Sequence, residues 1–308
     1  MRRVAVFAHY DPQNSIKRYI LRHLTALREV CDEIHFASTA QLAPEELAKV
    51  DGLVASRRVC ENAGYDFGMW AETIRTLDLR DWDELVLTNS SVYGPLTSLA
   101  QTFQGMEGTA CDFWGMTDNL EIEYHIQSFF LVFRNSVLRS GQVEAFFASV
   151  LPYRHKWQVI RSYELGLTHF MLDQGFVPGV VASVQDPGLR LGVCNPCVWA
   201  PIALTKLGVP YVKVALMHDN PANVRLAPVR ARMAALGYPL DLVELERNPP
   251  VRLFSGLLSR LNLLLQRWHI RRPSMLPLRP CVSAMFQARA AARTQGQISS
   301  VGSVRRDR

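Results

Sequence analysis

Phosphate-cradling glycine motifs are missing from this chain: neither GxGxxG nor GxxxxGK[ST] occurs, which removes the usual dinucleotide and P-loop readings. Long apolar runs are missing too. The longest, around Leu257 to Leu265, is broken by Ser259, Arg260 and Asn262, short of the roughly 18 residues that span a bilayer. At the amino terminus only Val4-Ala5-Val6-Phe7-Ala8 separates Arg3 from His9, too little for a signal-peptide core, so a cytoplasmic location is expected. Cysteine is sparse. Of six, only Cys194 and Cys197 lie close, with no second CxxC or paired histidine at zinc-ligand spacing, so reduced structural thiols are expected. Lysine is absent from residues 251 to 308, where eleven Arg face one acid, Asp307. Against a net charge of +6, this leaves the first 250 residues slightly acidic, which argues against a nucleic-acid-binding body. What is present is ordinary for a folded protein: 308 residues, 48% apolar and 20% charged, enough to bury a core without disulfides or metal.

Strands and helices alternate along the first hundred residues. Val4 to Ala8 reads as a buried strand ending at His9-Tyr10-Asp11, and Ile16, Ile20, Leu24 and Leu27 mark one face of a helix. Further strands are expected at Ile34 to Ala37, Gly52 to Ala55 and Glu84 to Thr88, with helices at Pro44 to Lys49 and Met69 to Leu77. This order implies right-handed crossovers and a mainly parallel, Rossmann-type α/β sheet flanked by helices. Ligands in such sheets bind at the carboxyl ends of the strands. Three polar clusters fall there: His9-Tyr10-Asp11, Glu61 to Gly68, and Asn89 to Pro95. Later, Phe113 to Thr117, Ser128 to Phe133 and Tyr211 to Leu216 read as strands. Ser136 to Leu151, Trp157 to Gln174 and Asn220 to about Leu236 read as helices.

The segments Glu61-Asn62-Ala63-Gly64-Tyr65-Asp66-Phe67-Gly68, Thr88-Asn89-Ser90-Ser91-Val92-Tyr93-Gly94-Pro95, Asp112-Phe113-Trp114-Gly115-Met116-Thr117, His125-Ile126-Gln127-Ser128-Phe129-Phe130 and Tyr163-Glu164-Leu165-Gly166-Leu167-Thr168 come in a fixed order. They are followed by Pro210 to Val214 and Asp219-Asn220-Pro221. Together they resemble the rhamnan synthesis F family, glycosyltransferases of bacterial cell-surface polysaccharides. The resemblance implies a GT-A-like domain over residues 1 to 250. Its nucleotide-sugar half would run to about 110 and its acceptor half from about 111 to 250.

Donor-binding candidates are His9, Tyr10, Asp11, Arg58, Asn62, Gly64, Tyr65, Asp66, Asn89, Ser90 and Ser91. Asn62 and Asp66 can offer an amide and a carboxylate to sugar hydroxyls, or Asp66 can simply cap the helix that follows, with Gly64 in a left-handed turn. Asn89 is either a ligand group or a strand-end turn residue. Two positions depart from the family pattern. Cys60 stands where Arg precedes Glu-Asn, and Asn89-Ser90-Ser91 stands where Asn-Asp-Ser is usual. A carboxylate there would hold Mg²⁺ or Mn²⁺ against the diphosphate. With Ser90 instead, the metal is held by other groups such as Asp11, or cations such as Arg57 and Arg58 replace it, or activity is lost.

Trp114, His125, Gln127 and Ser128 are the acceptor-binding candidates; Trp114 is a sugar-stacking platform or core, and His125 a ligand group or a structural residue. Glu164, beside the apolar face of Ile160, Leu167, Phe170 and Met171, is either a solvated edge residue or a general base, with Asp112 and Asp118 as competitors. Residues 251 to 280 form an expected amphipathic basic helix, which lies in the inner membrane interface or packs on the domain. Residues 281 to 308 are an expected disordered tail. The function implied is transfer of a sugar, dTDP-rhamnose being the leading donor, to a lipid-linked glycan acceptor with inversion. The alternative is a catalytically silent GT-A-like protein that binds glycan or a partner.

Overall fold

The computed structural model describes residues 1–189, 195–220 and 223–244. The chain divides into two compact units, Met1–Arg271 and Arg272–Arg308, and all described residues belong to the first. The expected helix at 251 to 280 and tail at 281 to 308 lie outside the described residues. Among those that are described, no helix is long and apolar enough to cross a membrane.

Ten strands are present among the described residues: β1 (Arg3–His9), β2 (Glu33–Ser38), β3 (Ser56–Val59), β4 (Glu84–Asn89), β5 (Val92–Tyr93), β6 (Phe113–Asn119), β7 (His125–Ile126), β8 (Phe130–Arg134), β9 (Pro178–Ala182) and β10 (Val212–Lys213). The main sheet runs β3-β2-β1-β4-β8-β6, with β7 and β9 also paired to β6, while β5 and β10 form a separate antiparallel pair. β1 to β4 are mutually parallel. β8 is antiparallel to both β4 and β6, so β6 and β9 regain the direction of β4. The sheet is therefore mainly parallel with helices on both faces, as the alternation of elements implied. Because β4 pairs with β8, the expected donor and acceptor halves share one sheet.

Both faces of the sheet are buried, and the strands show it by alternation. Ala5, Phe7, Val86, Trp114, Met116 and Val132 join one core. Val4, Val6, Ala8, Leu85, Leu87, Phe113 and Phe133 join the other. Helix Arg18–Arg28 covers the first with Ile20, Leu24 and Leu27 of the predicted stripe, while Ile16, its first predicted member, packs into the same core from just ahead of the helix. Helix Tyr65–Ile74 covers the second with Phe67, Trp70 and Ile74.

Some boundaries differ from the expectation for local reasons. The third strand starts at Ser56 rather than Gly52, because Gly52 turns the chain with φ 77°. The expected helix Ser136 to Leu151 is two helices, Asn135–Ser140 and Gln142–Ala148, divided by Gly141 at φ 74°. The helix expected from Trp157 is three pieces: Lys156–Val159, a π-helical turn at Ile160–Glu164, and Leu165–Asp173. The late strand is only Val212–Lys213, and helix Val214–His218 follows at once.

Candidate functional site

Parallel strands β1, β4 and β6 deliver their carboxyl ends to one edge of the sheet. β8 runs the other way, so its leading residues Ser128 and Phe129 arrive at that same edge. Thr88 fastens the junction, its hydroxyl donating to the Phe129 carbonyl at 2.8 Å.

On the donor side the turn after β3 presents Gly64 at φ 82°, the left-handed conformation expected, directly ahead of helix Tyr65–Ile74. A methyl group on Gly68 would stand 2.1 Å from the Ala63 carbonyl, so only glycine lets this turn close on its helix. The Asp66 side chain does not cap the helix. It accepts a hydrogen bond from Asn89 Nδ2 at 2.8 Å, while Asn89 Oδ1 accepts from the Ser91 N–H at 3.1 Å and the Ser91 hydroxyl at 2.6 Å. Asp66, Asn89 and Ser91 are thus brought together, Tyr10 joins them through Ser90, and Asn62 and Tyr65 are exposed just ahead of Asp66. Burial raises the Asp66 carboxyl from 3.8 to about 6; the Lys213 charge opposes that rise, and the Glu164 charge adds to it.

Ser90 binds the ends of β1 and β4 together. Its hydroxyl accepts from the Tyr10 N–H and donates to the Tyr10 carbonyl, both at 3.2 Å. Asp11 Oδ1 accepts from the N–H groups of Gln13 and Ser15 and from the Ser15 hydroxyl, closing its own loop. These groups do not fit a divalent cation. Ser90 offers a neutral oxygen already paired with Tyr10, and Asp11 commits Oδ1 to its own turn, so the Asn89-Ser90-Ser91 turn lacks the one or two free carboxylates that would hold such an ion against a diphosphate. The expected cations face elsewhere as well. Arg57 pairs with Asp51 and the Leu47 carbonyl, and Arg58 donates to the Glu72 carbonyl and the Thr76 hydroxyl. Cys60 is buried, and burial together with Glu72 pushes its thiol up to about 12, so it supplies no charge in place of the family's arginine.

On the acceptor side, the Ser128 hydroxyl donates to Glu164 Oε1 at 3.1 Å. Glu164 is the last residue of the π-helical turn, a feature that re-aims side chains and recurs at functional sites. His125 is buried; its Nδ1 donates to the Glu123 carbonyl at 2.9 Å, and burial lowers its pKa against the pull of Glu164, so the ring is neutral. Gln127 is buried at the same turn, its N–H donating to the Thr117 carbonyl at 3.0 Å.

Reading by sequence missed Lys213. Its ammonium lies 4.5 Å from the centre of the Phe129 ring, and its charge acts on both Asp66 and Cys197. The lone lysine in the apolar segment Tyr211 to Leu216 was the available signal.

Three candidates prove structural. Trp114 is 1% exposed, packed against Phe103 and Phe130, so it is core and cannot stack on a sugar. Asp112 precedes β6 at the amino end of the sheet, opposite the site, where it accepts from the Ser136 hydroxyl and the Val177 N–H; it is not a catalytic base there. His9 lies beneath the site: its Nδ1 pairs with the Ser38 hydroxyl and burial lowers its pKa to about 4, so it supports β1 from inside. The competing acid Asp118 is fully buried, its carboxylate accepting from the Ser183 hydroxyl and the Val184 N–H.

A mainly parallel sheet with helices on both faces, a reversed strand beside β4 and a polar carboxyl edge defines an α/β protein with its candidate site at the strand ends. Residues 34–251 match the family described as rhamnan synthesis protein F. The chain belongs to that family. It is also similar to the virulence protein VirA of Vibrio anguillarum, 26% identical over 194 residues, which is 53% of this chain and 62% of that protein. The chain thus spans about three fifths of the length of this curated relative. Among solved structures, a nucleotide-diphospho-sugar transferase from Desulfovibrio desulfuricans G20 overlaps with a TM-score of 0.37 at 11% identity, over 59% of this chain and 81% of that one. The inositol-1-phosphate CTP transferase from T. maritima overlaps with a TM-score of 0.42 at 11% identity, over 78% and 98%.

Proposed function

We propose that this chain is a glycosyltransferase that moves a sugar from a nucleotide-diphosphate donor to a growing cell-surface polysaccharide, with dTDP-rhamnose the first donor to test. The family membership supports the class of reaction. The observation that carries the mechanism is that the Ser128–Glu164 pair lies close enough to the Asp66–Asn89 pair for the Glu164 charge to act on Asp66. In this reading Asn62, Asp66, Asn89 and Ser91 hold the donor. Ser128 fixes one carboxylate oxygen of Glu164, leaving the other to accept the proton of an acceptor hydroxyl. The acceptor oxygen then bonds to the anomeric carbon as the bond to the diphosphate oxygen breaks, and that oxygen keeps the electron pair. One displacement inverts the anomeric centre. A lipid-linked acceptor would bring the protein to the inner membrane surface, with residues 251 to 272 as the contact.

The test is release of dTDP and formation of product from dTDP-rhamnose and a rhamnose-terminated acceptor. Glu164→Gln should lower kcat by about a hundredfold or more, the usual worth of a positioned base, while donor affinity stays within about twofold. Full activity of that variant would remove Glu164 from the mechanism. A second reading, a silent binding module, is favoured by the engagement of Ser90 with Tyr10 where the family carries Asp. Glycan binding without turnover on dTDP-rhamnose or any other sugar nucleotide would select it.

A further inference from the structure

A departing nucleoside diphosphate gathers negative charge as the glycosidic bond breaks, and some fixed positive group must meet it. Neither the expected metal donors nor the expected arginines are placed to do so. Ser90 and Asp11 are engaged with backbone and loop, and Arg57 and Arg58 are bound to other partners.

Lys213 is placed differently. In the β5–β10 ladder it stands opposite Val92, and the next residue, Val214, donates its N–H to the Ser91 carbonyl at 2.9 Å. The lysine is therefore pinned against the residue that follows the Asn89-Ser90-Ser91 turn, where the family carries its carboxylate. Its stem is half-buried and its ammonium rests over the Phe129 ring. A ring face holds a cation without cancelling its charge. Among the described residues no carboxylate lies within ion-pair distance of this ammonium, although Asp66 is near enough to feel it. The result is a held positive charge at the carboxyl end of β4, close to Asp66 but in no ion pair among the described residues.

We infer that Lys213 is the group that meets the donor's diphosphate, and that donor binding proceeds through this side chain without a divalent cation. The inference rests on the donor-binding reading above and adds the residue and the charge balance to it. Within the site Lys213 would act on the phosphate oxygens, Asp66 and Asn89 on hydroxyl groups, and Glu164 on the acceptor.

Calorimetric titration in EDTA with dTDP, UDP, GDP and inorganic pyrophosphate separates the outcomes. The wild-type protein should bind at least one nucleoside diphosphate, and pyrophosphate more weakly. Lys213→Ala and Lys213→Met should each weaken both by about tenfold to a hundredfold, the span for one charge-assisted hydrogen bond, and Lys213→Arg should recover most of the loss. Thymidine or uridine affinity, which a merely structural role would also disturb, should stay unchanged. Melting curves show whether each variant is folded, and the Met variant keeps the apolar stem if the Ala variant is not. Unchanged diphosphate affinity in the folded Met variant overturns the role of Lys213 and leaves the donor-binding reading intact. Binding that requires Mg²⁺ or Mn²⁺ overturns the metal-free site alone. Absence of any diphosphate binding, with or without metal, overturns both.

Discussion

Replacing Asp66 with Asn should make the protein more stable, and only above a definite pH. In the folded chain this carboxyl is raised from 3.8 to about 6, chiefly because burial disfavours its charged form. A factor of ten in proton affinity is about 1.4 kcal/mol, so the charged carboxylate carries a penalty of about 3 kcal/mol at neutral pH. Below about pH 4 the group holds its proton in folded and unfolded chains alike, and no penalty exists. Between 3.8 and about 6 the unfolded chain releases the proton while the folded chain keeps it, so rising pH favours unfolding. Above about 6 both states are ionised and the loss is complete. An asparagine side chain in its place cannot ionise and still offers an oxygen to the Asn89 amide, so the variant escapes the penalty. Melting followed by tryptophan fluorescence from pH 4 to pH 8 should show the two proteins together at the acid end. The variant should be about 6 °C more stable from pH 7 upward, taking about 2 °C per kcal/mol for a chain of this size. A difference that does not change with pH, or a variant less stable at pH 8, would refute the reasoning. The same variant should bind donor poorly, which is the sense in which the site holds an expensive charge for use.

Ser90→Asp should lower stability by about 1 to 2 kcal/mol, because the hydroxyl that both accepts from and donates to Tyr10 is replaced by a group that only accepts. Urea denaturation measures this, and a rise in transfer rate with Mn²⁺ in that variant would contradict the assignment of the site as unfit for metal. Trp114→Ala should cost about 3 to 5 kcal/mol through the cavity it leaves between Phe103 and Phe130, with glycan affinity unchanged at temperatures where the variant is folded. Selective loss of glycan binding at full stability would return Trp114 to the acceptor groove.

Much of the sheet was readable from local pattern, since buried strands such as Val4 to Ala8 and helix stripes such as Ile20, Leu24 and Leu27 carry their burial in their spacing. The clusters at strand ends were readable for the same reason: a strand that stops at polar residues marks its own carboxyl end. Properties that depend on pairing were not. β3 is an exposed edge carrying Arg57 and Arg58, so it has little apolar signature. Trp114 and Asp112 belong to one short segment, and no local rule tells which end of β6 faces the site or which side chains face the core. Lys213 comes to the Asn89 turn through a two-residue ladder to a strand more than a hundred residues earlier, a contact no spacing announces. The π-helical turn at Ile160–Glu164 is equally silent, because its residues follow an ordinary helical stripe.

The reversed strand β8 has a consequence for recombination. A reading of the chain as a donor half and an acceptor half invites exchange of whole halves between relatives, with the crossover near residue 110. Here the seam of such a hybrid would be the β4–β8 ladder itself, five paired positions from Glu84↔Arg134 to Thr88↔Phe130. The Thr88 hydroxyl and the Phe129 carbonyl meet on it within one turn of the site. A transplanted half therefore brings a foreign edge into the middle of the sheet. Grafts confined to the segments 61–68 or 120–128 leave that seam in the hands of its original partner.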